Sequence, residues 1–454
     1  MTNIILSAGG TGGHMVPAHA LAAELIARGI GVALITDERG ARIPGLFDGV
    51  PIHVLPAGRL TGLLGLMRTA RSILAGRRQA KKLYKEFPPD AVVGFGGYPA
   101  LPALLAASAR GIPTVLHEQN AVLGRVNRFL AGDAAAIATA YPEVERLKPA
   151  YQSKVALVGN PVRDSVKRLG EAPLPPFDEF SPLKILVTGG SQGASVLGEV
   201  VPAGLGALEP ALRHRLQVVQ QCRPDDGVAV RDAYAKLKIP AEVTTYITDM
   251  PAKLADCHLV IGRAGASTIA ELTAAGRPAI LVPLPSATDD HQTANAREMA
   301  RAGGARMIAQ ADFTPDALAR QIEALAKDPE ALANAAARSL SVGRPNAASD
   351  LADLVIPDLA RWQDWTVTDR LVELFKTADE KSSWVRVPVI NFLQASPEPK
   401  AKEYLAQLEK IDPDAVKRAN SFFPVGAIPA GDDGKVPPPA VAETPKTEAP
   451  TEPQ

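Results

Sequence analysis

Cysteine is scarce in this sequence of 454 residues, which has only Cys222 and Cys257. The two lie far apart and outside any CxxC spacing, which excludes a disulfide framework and a zinc site built on paired cysteines. A reducing, cytosolic compartment fits this composition. The seven histidines are dispersed, and His14 and His19 lack the glutamate of an HExxH motif, so no metal site is indicated.

The sequence also has no excess of either charge and no long apolar run. It contains 49 basic and 49 acidic residues, so the field of the whole protein gives no reason to expect nucleic acid as a partner. No stretch reaches the ~20 apolar residues of a membrane span, and residues 1–8 lack the basic and apolar segments of a signal peptide. We therefore expect any membrane contact to be made from the cytoplasmic surface.

The chain is longer than one hydrophobic core usually supports, since cores stop growing near roughly 250 to 300 residues. Short apolar runs alternate with segments of helical periodicity from residue 3 to about 345. The runs predicted as buried strands are residues 3–7, 31–36, 91–94, 113–117 and 134–138. Strands that alternate with helices predict an α/β fold with a doubly wound, mostly parallel sheet.

The pattern of the first strand and its glycine turn occurs twice. NIILSAGGTGG at residues 3–13 is echoed by KILVTGGSQGA at 184–194, after a segment at 159–183 that carries five prolines. Prolines at this density are typical of a linker. We therefore predict one domain over residues 1–160 and a second over 161–344.

The composition changes again after about residue 365. Residues 367–378, 384–393 and 400–411 have the pattern of short amphipathic helices, although Pro388 argues against an uninterrupted middle helix. We expect residues 365–423 to form a helical extension of unknown role. Residues 424–454 are rich in proline and poor in large apolar residues, which predicts a disordered tail.

Three glycine-rich turns, at residues 9–14, 94–99 and 189–193, follow predicted strands. Glycines let backbone N–H groups and a helix N-terminus approach an anion, and ligands of open α/β sheets bind at the carboxyl ends of the strands. A tight turn without a ligand is the alternative for each. Met15 breaks the GxGxxG dinucleotide pattern, and the sequence has no GxxxxGK[ST] phosphate loop.

Three polar segments also follow apolar runs. HEQN at 117–120 fits a site, or else a helix capped by Asn120 beside a solvated Glu118. GRAGASTIAE at 262–271 begins a helix whose Glu271 could accept ribose hydroxyls, although Thr268 and Glu271 also fit a capping box. DDHQTAN at 289–295 is predicted to be a loop, with a solvated acidic turn as the alternative.

Residues 59–85 interleave leucines with eight basic residues and contain no acidic one. Such a segment favours peripheral binding to an anionic membrane surface. An ordinary helix that packs its leucines on the sheet and exposes a basic face is the alternative.

Seven motifs together resemble the MurG family of glycosyltransferase family 28. They are GGTGGH at 9–14, GFGGYP at 94–99, HEQN at 117–120, GNPVR at 159–163, GGSQGA at 189–194, GRAGASTIAE at 262–271 and DDHQTANA at 289–296. Their order and spacing match that family over residues 3 to about 360. The region after about residue 365 does not belong to the family pattern.

The resemblance implies a GT-B fold, in which two Rossmann-like domains with parallel sheets face each other across a cleft. UDP-N-acetylglucosamine would bind mainly to the second domain and the lipid acceptor to the first, and a closing helix at about 345–361 would return to the first domain. The substrate-binding residues it implies are Thr11, Gly12, Gly13, Asn120, Arg163, Ser191, Ile247, Ala266, Ser267, Thr268, Ile269, Ala270, Glu271 and Gln292.

The implied reaction is an inverting transfer of N-acetylglucosamine to the C4 hydroxyl of N-acetylmuramic acid in lipid I, which forms lipid II and UDP for peptidoglycan biosynthesis. We favour His14 as the catalytic base, because an imidazole suits proton removal at neutral pH, with Glu118 as the rival. UDP-N-acetylglucosamine would be a substrate, so no cofactor and no metal ligand is predicted, although a divalent cation could assist.

The implied partners are UDP-N-acetylglucosamine, lipid I, an anionic membrane surface contacted through about residues 59–85, and other proteins of cell-wall synthesis. The implied location is peripheral, on the cytoplasmic face of the inner membrane. Two other functions remain open on the same architecture. They are a UDP-sugar 2-epimerase, which needs no membrane, and a non-catalytic sugar-nucleotide-binding scaffold, against which the joint presence of His14, Asn120, Glu271 and Gln292 speaks.

Overall fold

The computed structural model describes residues 2–10, 12–43, 45–56, 62–178, 180–190, 193–361, 365, 368–378 and 385–422, without the side chains of 62–68, 355–361, 418 and 420–422. The segment 424–454, expected to be disordered, lies outside these residues. Within them the chain forms two parallel β-sheets, of seven and six strands, each with helices on both faces, and a cluster of C-terminal helices. The predicted α/β class is confirmed.

The first sheet has the strand order β3-β2-β1-β4-β5-β6-β7. Its strands are β1 (Asn3–Ser7), β2 (Gly31–Thr36), β3 (Ile52–Val54), β4 (Ala91–Gly94), β5 (Thr114–Glu118), β6 (Ala136–Thr139) and β7 (Val155–Leu157). Its helices are α1 (Gly12–Ala27), α2 (Glu38–Ala41), α3 (Gly62–Glu86), α4 (Leu101–Ser108) and α5 (Arg125–Leu130). The five predicted strands are present, and the edge strands β3 and β7 were not predicted.

The second sheet has the order β10-β9-β8-β11-β12-β13. Its strands are β8 (Leu183–Thr188), β9 (Leu216–Gln221), β10 (Ala241–Thr244), β11 (Leu259–Gly262), β12 (Ala279–Leu281) and β13 (Ala305–Met307). The helices from the linker onward are α6 (Asp164–Lys167), α7 (Ser195–Gly206), α8 (Pro210–Arg213), α9 (Gly227–Leu237), α10 (Met250–Asp256), α11 (Ala266–Ala274), α12 (His291–Ala302), α13 (Pro315–Ala326), α14 (Pro329–Ser341) and α15 (Ala347–Arg361). Short 3₁₀ helices occupy Tyr98–Ala100, Pro149–Lys154, Arg168–Glu171, Pro224–Asp226, Thr288–Asp290 and Gln310–Asp312.

Alternate residues of each central strand fill the cores on opposite faces of its sheet. In β1, Ile4 packs against α1, whereas Ile5 packs against the opposite layer with Leu104 of α4. In β8, Ile185 and Leu186 divide in the same way between two cores. This two-residue period explains why strands covered on both faces are uniformly apolar, which made them detectable in the sequence.

Helix α15 returns from the second sheet to the first. Leu351 and Ala352 are fully buried in the core that contains α1, and the Nη1 group of Arg28 lies 2.9 Å from Oδ1 of Asp353. The start of α15 rests on Gly159, whose φ of +93° suits glycine and where a Cβ would lie 2.6 Å from the Cβ of Arg344. The crossing between the two halves is therefore closely packed.

The C-terminal helices α16 (Thr368–Thr377), α17 (Arg386–Ala395), α18 (Pro399–Ile411) and α19 (Pro413–Phe422) enclose a core of their own. Phe375 and Phe392 are fully buried there, and α17 packs against α15. Pro388 is the third residue of α17, in the first turn, where proline costs no intrahelical hydrogen bond, so the middle helix is continuous. Helix α19 was not predicted.

Candidate active site

A cleft of about 1000 Å³ separates the carboxyl ends of the two sheets. It is lined from both halves, and all three predicted glycine turns contribute to its wall or adjoin it. The predicted site residues that line it are Gly12, Gly13, His14, Asn120, Arg163, Ile247, Ala266, Ser267, Thr268, Glu271 and Gln292. The structure thus brings together residues that are up to 280 positions apart in the chain, from Gly12 to Gln292.

Other predicted site residues lie elsewhere. Ile269 is buried in a core of the second half, and with Ala270 it lines a smaller cavity on the other side of α11. Their side chains therefore do not face the cleft, because positions 269 and 270 lie on the opposite face of the helix from 267, 268 and 271. Glu118 is buried behind the cleft wall. Thr11 and Ser191 lie outside the described residues.

His14 stands in the first turn of α1, against the second glycine turn. A Cβ on Gly97 would lie 3.6 Å from Nε2 of His14, and one on Gly96 would lie 3.7 Å from its Cε1, while both glycines have positive φ. A Cβ at these distances would make ordinary van der Waals contact, so glycine is favoured at 96 and 97 by the positive φ and not by lack of space. Burial lowers the pKa of His14, against the negative charge of Glu118, which raises it. The imidazole is therefore neutral at pH 7 and able to accept a proton.

Glu118 is a fully engaged acceptor rather than a solvated acid. Its Oε1 accepts hydrogen bonds from the backbone and side-chain amides of Asn120 at 3.0 and 3.2 Å. Its Oε2 accepts from the N–H of Gly124 at 2.7 Å and from Nδ2 of Asn127 at 2.9 Å. This carboxylate fixes the loop that carries Asn120. Asn120 itself does not cap a helix, because α5 begins at Arg125 after Gly124.

His117 links this loop to the hinge between the two halves. Its Nε2 lies 2.9 Å from the carbonyl oxygen of Gly159, which can only accept, so Nε2 carries the proton. The side-chain amide of Gln119 donates to Nδ1 of His117 at 3.0 Å and to the carbonyl of Phe95 at 3.0 Å. Complete burial lowers the pKa of His117 to about 4, so this histidine is a neutral structural link.

In the second half, α11 begins at Ala266 after Gly265, which makes no side-chain cap. Thr268 is thus already inside the helix, and the capping box does not form. Glu271 instead accepts a hydrogen bond from Nη2 of Arg163 at 2.8 Å. Burial raises the pKa of Glu271, while the charge of Arg163 opposes that shift. The carboxylate of Glu271 lines the cleft one turn from the N-terminus of α11, so a nucleotide bound there would contact both the carboxylate and the helix N-terminus.

The segment 289–295 is not the predicted loop, because α12 begins at His291. Oε1 of Gln292 accepts from the N–H groups of Ala264 and Leu284 at 3.2 and 3.0 Å, so a ligand in the cleft would meet its Nε2 donor group. Across the cleft, the hydroxyl of Ser267 donates to the carbonyl of Gly13 at 3.4 Å. The two halves therefore meet at the site itself.

The sequence did not single out Arg223, which lines the cleft, or Asn295, which is buried beside it and donates a hydrogen bond to Asn120. Arg223 follows β9 and lines the cleft, and its stem lies on the third glycine turn, where a Cβ on Gly193 would be 2.8 Å from its Cγ. A cation there is suited to a diphosphate. Its position two residues after the strand β9 is the feature of the sequence that could have identified it as a site residue. Asn295 lies within the seventh motif, but only the folded chain reveals its contacts.

The described residues offer neither a metal site nor a membrane-spanning helix. Among them, no group of three or more His, Cys, Asp or Glu side chains is placed to hold a metal ion. None of the described helices combines the length and the apolar character that crossing a bilayer requires.

Two family models match the chain. The glycosyltransferase family 28 N-terminal domain matches residues 4–139, and the C-terminal domain of the same family matches residues 184–354. Neither model reaches the helices α16 to α19. The matched ranges contain both sheets except β7, which lies between them.

Curated relatives match over more than three quarters of the chain. Proteins of Erythrobacter litoralis and Novosphingobium aromaticivorans are 63% and 64% identical over 352 residues, which is 77% of this chain and 88% and 91% of theirs. Both carry the name UDP-N-acetylglucosamine--N-acetylmuramyl-(pentapeptide) pyrophosphoryl-undecaprenol N-acetylglucosamine transferase.

Solved structures agree. A crystal structure of MurG from Acinetobacter baumannii is 32% identical, covers 78% of this chain and 99% of its own, and has a TM-score of 0.62. A UDP-GlcNAc 2-epimerase from Neisseria meningitidis, solved with UDP-GlcNAc bound, covers 78% of this chain and 100% of its own and has a TM-score of 0.57 at 14% identity, which shows a shared fold alone. The predicted GT-B architecture and the predicted resemblance are both confirmed, and the chain belongs to the MurG family of glycosyltransferase family 28.

Proposed function

We propose that the protein transfers N-acetylglucosamine from UDP-N-acetylglucosamine to the C4 hydroxyl of the muramyl sugar of lipid I, with inversion, and releases UDP and lipid II. The observation that carries this proposal is the assembly of the predicted residues of both halves around one cleft of about 1000 Å³. The names of the relatives that are 63% and 64% identical support the choice of donor and acceptor.

In this proposal His14 accepts the proton of the attacking hydroxyl. Its lowered pKa leaves the imidazole neutral at pH 7, which is the form that a base needs. His14 lines the cleft with Gly96 and Gly97 beside its imidazole, and the negative charge of Glu118 would stabilise the imidazolium that forms. Glu118 itself acts through Asn120, because its oxygens already accept four hydrogen bonds.

The second half would hold the donor. Glu271 would accept hydrogen bonds from the ribose hydroxyls, and the side-chain amide of Gln292 would donate one to the sugar. Ile247 would lie beside the uracil. The N-termini of α7 and α11 and the side chain of Arg223 would stabilise the charge that develops on the departing diphosphate. These groups are placed before the reaction begins, so little reorganisation is needed when the bond breaks.

The test is incubation of the purified protein with UDP-N-acetylglucosamine and a short-chain analogue of lipid I, followed by UDP release, product mass and the anomeric configuration by NMR. Acceptor-dependent UDP release with one added N-acetylhexosamine in the β configuration is expected from an inverting transfer out of an α-linked donor. UDP release without acceptor, together with N-acetylmannosamine, would instead identify an epimerase. Tight donor binding with no reaction would identify a scaffold.

The protein would meet its acceptor as a peripheral protein at an anionic surface, on the cytoplasmic face of the inner membrane. In the described part of α3, Arg71, Arg78, Lys82 and Lys85 are exposed, while Leu83 is buried in the core. The predicted apolar contacts at 59–68 lie outside the described side chains. The described residues therefore support the electrostatic attraction of α3 to an anionic surface, which is one of the two expected contributions to membrane binding.

Sedimentation with vesicles of phosphatidylglycerol and phosphatidylcholine tests the surface. The double variant Arg71→Gln with Arg78→Gln should weaken binding to the anionic vesicles roughly 30-fold at low salt, since each basic residue near the surface contributes about 1 kcal/mol. Arg231→Gln with Lys236→Gln removes two exposed charges of α9 and should leave binding unchanged. Equal loss in both double variants would rule out α3 as the contact.

A further inference from the structure

Asn295 connects the two halves of the cleft through its side chain. It lies in α12, four residues from the start of the helix, and is completely buried. Its Oδ1 accepts from the backbone N–H of Ala121 in the first half at 2.8 Å. Its Nδ2 donates to Oδ1 of Asn120 in the first half at 3.1 Å and to the carbonyl of Ala264 in the second at 3.2 Å.

In the first half, the hydrogen bond from Asn295 completes the support of the Asn120 side chain. The side-chain nitrogen of Asn120 donates to Glu118, and its oxygen accepts from Asn295, so the amide is held from both directions. An amide whose oxygen and nitrogen are both engaged in hydrogen bonds has one orientation. The position of Asn120 in the cleft thus depends on a residue of the other half.

In the second half, two side chains of α12 fix the backbone of Ala264 through the peptide groups before and after its Cα. Gln292 accepts from its N–H, and Asn295 donates to its carbonyl. The two lie three residues apart and so share one face of the helix. Ala264 immediately precedes Gly265 and the N-terminus of α11, which faces the cleft. The same side chain therefore positions the loop that would meet the diphosphate.

Ion pairs between the halves align α12 further. Asp289 lies 2.6 Å from Nη2 of Arg128 and 3.2 Å from Nη1 of Arg146, both in the first half. Arg297 lies 3.0 Å from Glu145. The last pair is largely exposed and contributes little by itself. Besides the hydrogen bond from Ser267 to Gly13, the buried amide of Asn295 is a second contact that joins the two sides of the cleft.

We propose that Asn295 is a positioning residue that sets the distance between the acceptor side and the donor side of the cleft. It touches neither substrate, because it is buried and its polar atoms are bonded within the protein. The expected effect on kcat rests on the proposed transfer reaction. The expected effect on the distance between the two halves is independent of that reaction. Misplacement of reacting groups by about 1 Å can cost about 100-fold in rate.

Asn295→Asp is the sharpest test, since it keeps the shape and the acceptor for Ala121 but loses both donated bonds. We expect kcat to fall about 100-fold, while the Kd for UDP-N-acetylglucosamine changes less than threefold. Asn334→Asp adds the same charge at an exposed position of α14 and should change neither value. Leu332→Ala, in the buried core of the second half, should lower Tm and leave kcat within twofold at 20 °C.

The distance between the halves is measured separately, by electron paramagnetic resonance of spin labels at Arg110→Cys and Lys327→Cys, both exposed. With UDP bound, the chain with Asn295 should give one narrow distance distribution and Asn295→Asp a broad one. Since Cys222 and Cys257 are buried, they should not take up the label. Asn295→Ala, which removes the amide without adding charge, should also broaden the distribution if the Asp variant does not fold.

An unchanged kcat and an unchanged distance distribution in both variants would overturn the proposal. So would a loss of kcat matched by an equal loss of donor binding, because Asn295 would then belong to the donor site alone. If the parent chain transfers no sugar but the distribution still broadens, the proposed function fails and the positioning role stands.

Discussion

The two halves share a fold but build their sides of the cleft differently. The first half presents side chains tied into a buried network, in which Glu118 holds Asn120 and His117 joins the hinge. The second half presents a helix N-terminus and groups that face the cleft, such as Glu271 and Gln292. Under the proposed function, the first half supplies the chemistry, which needs a fixed geometry, and the second half binds the donor.

Removal of His14 should have the largest effect and would sharpen this division. His14→Ala should lower kcat about 1000-fold, within the range for loss of a general base, and leave the Kd for UDP-N-acetylglucosamine within threefold. His214→Ala, at an exposed position, is the matched control. Turnover retained by the His14 variant would remove it from the mechanism and would break the proposed division.

Removal of Glu271 should act on binding instead. Glu271→Ala should raise the Kd for UDP-N-acetylglucosamine about 100-fold, which corresponds to loss of charge-assisted hydrogen bonds, and should lower kcat at saturating donor less than fivefold. Calorimetry measures the first value and steady-state kinetics the second. Glu409→Gln, exposed on α18, should change neither. A large loss of kcat with unchanged donor affinity would place the chemistry in the second half as well.

The pH dependence separates His14 from Glu118. Burial lowers the pKa of His14 below 6.5, so kcat should be constant at neutral pH and fall tenfold per unit as pH drops through that pKa. The charge of Glu118 raises the pKa of His14, so Glu118→Gln should move this limb to lower pH and keep measurable turnover at pH 8. Complete loss of turnover at every pH in a folded Glu118→Gln protein would make Glu118 the base.

The C-terminal helices should have the smallest effect on catalysis, because their core is separate from the cleft. Arg386 and Asp412 form a mostly buried ion pair at 2.8 Å, so Asp412→Asn should increase amide hydrogen exchange in α17 to α19. Its kcat should stay within twofold. Asp414→Asn, in an exposed pair with Lys417, is the control and should change neither. A tenfold loss of kcat in Asp412→Asn would show that these helices support the site.

The central strands were predictable because burial on both faces makes them continuous apolar runs, as in Asn3–Ser7. The edge strand Ile52–Val54 was missed, since it has three residues and its side chains are largely exposed. Pro388 led to a wrong prediction of an interrupted helix. Its effect on a helix depends on its distance from the helix start, and that start is decided by packing. The predicted bounds of the domains and of the disordered tail remain predictions.

The composition and the spacing of seven motifs were enough to determine an α/β chain of two similar halves, the resemblance to its family and eleven of the residues that line the cleft. These properties are local, because an apolar strand followed by a glycine turn is recognised from neighbouring residues, whatever the strand packs against. Only the tertiary structure decided that Glu118 is buried, that Ile269 faces the core and that Asn295 joins the halves. Each of these depends on a partner distant in sequence, and hydrogen bonds and burial follow distance in space.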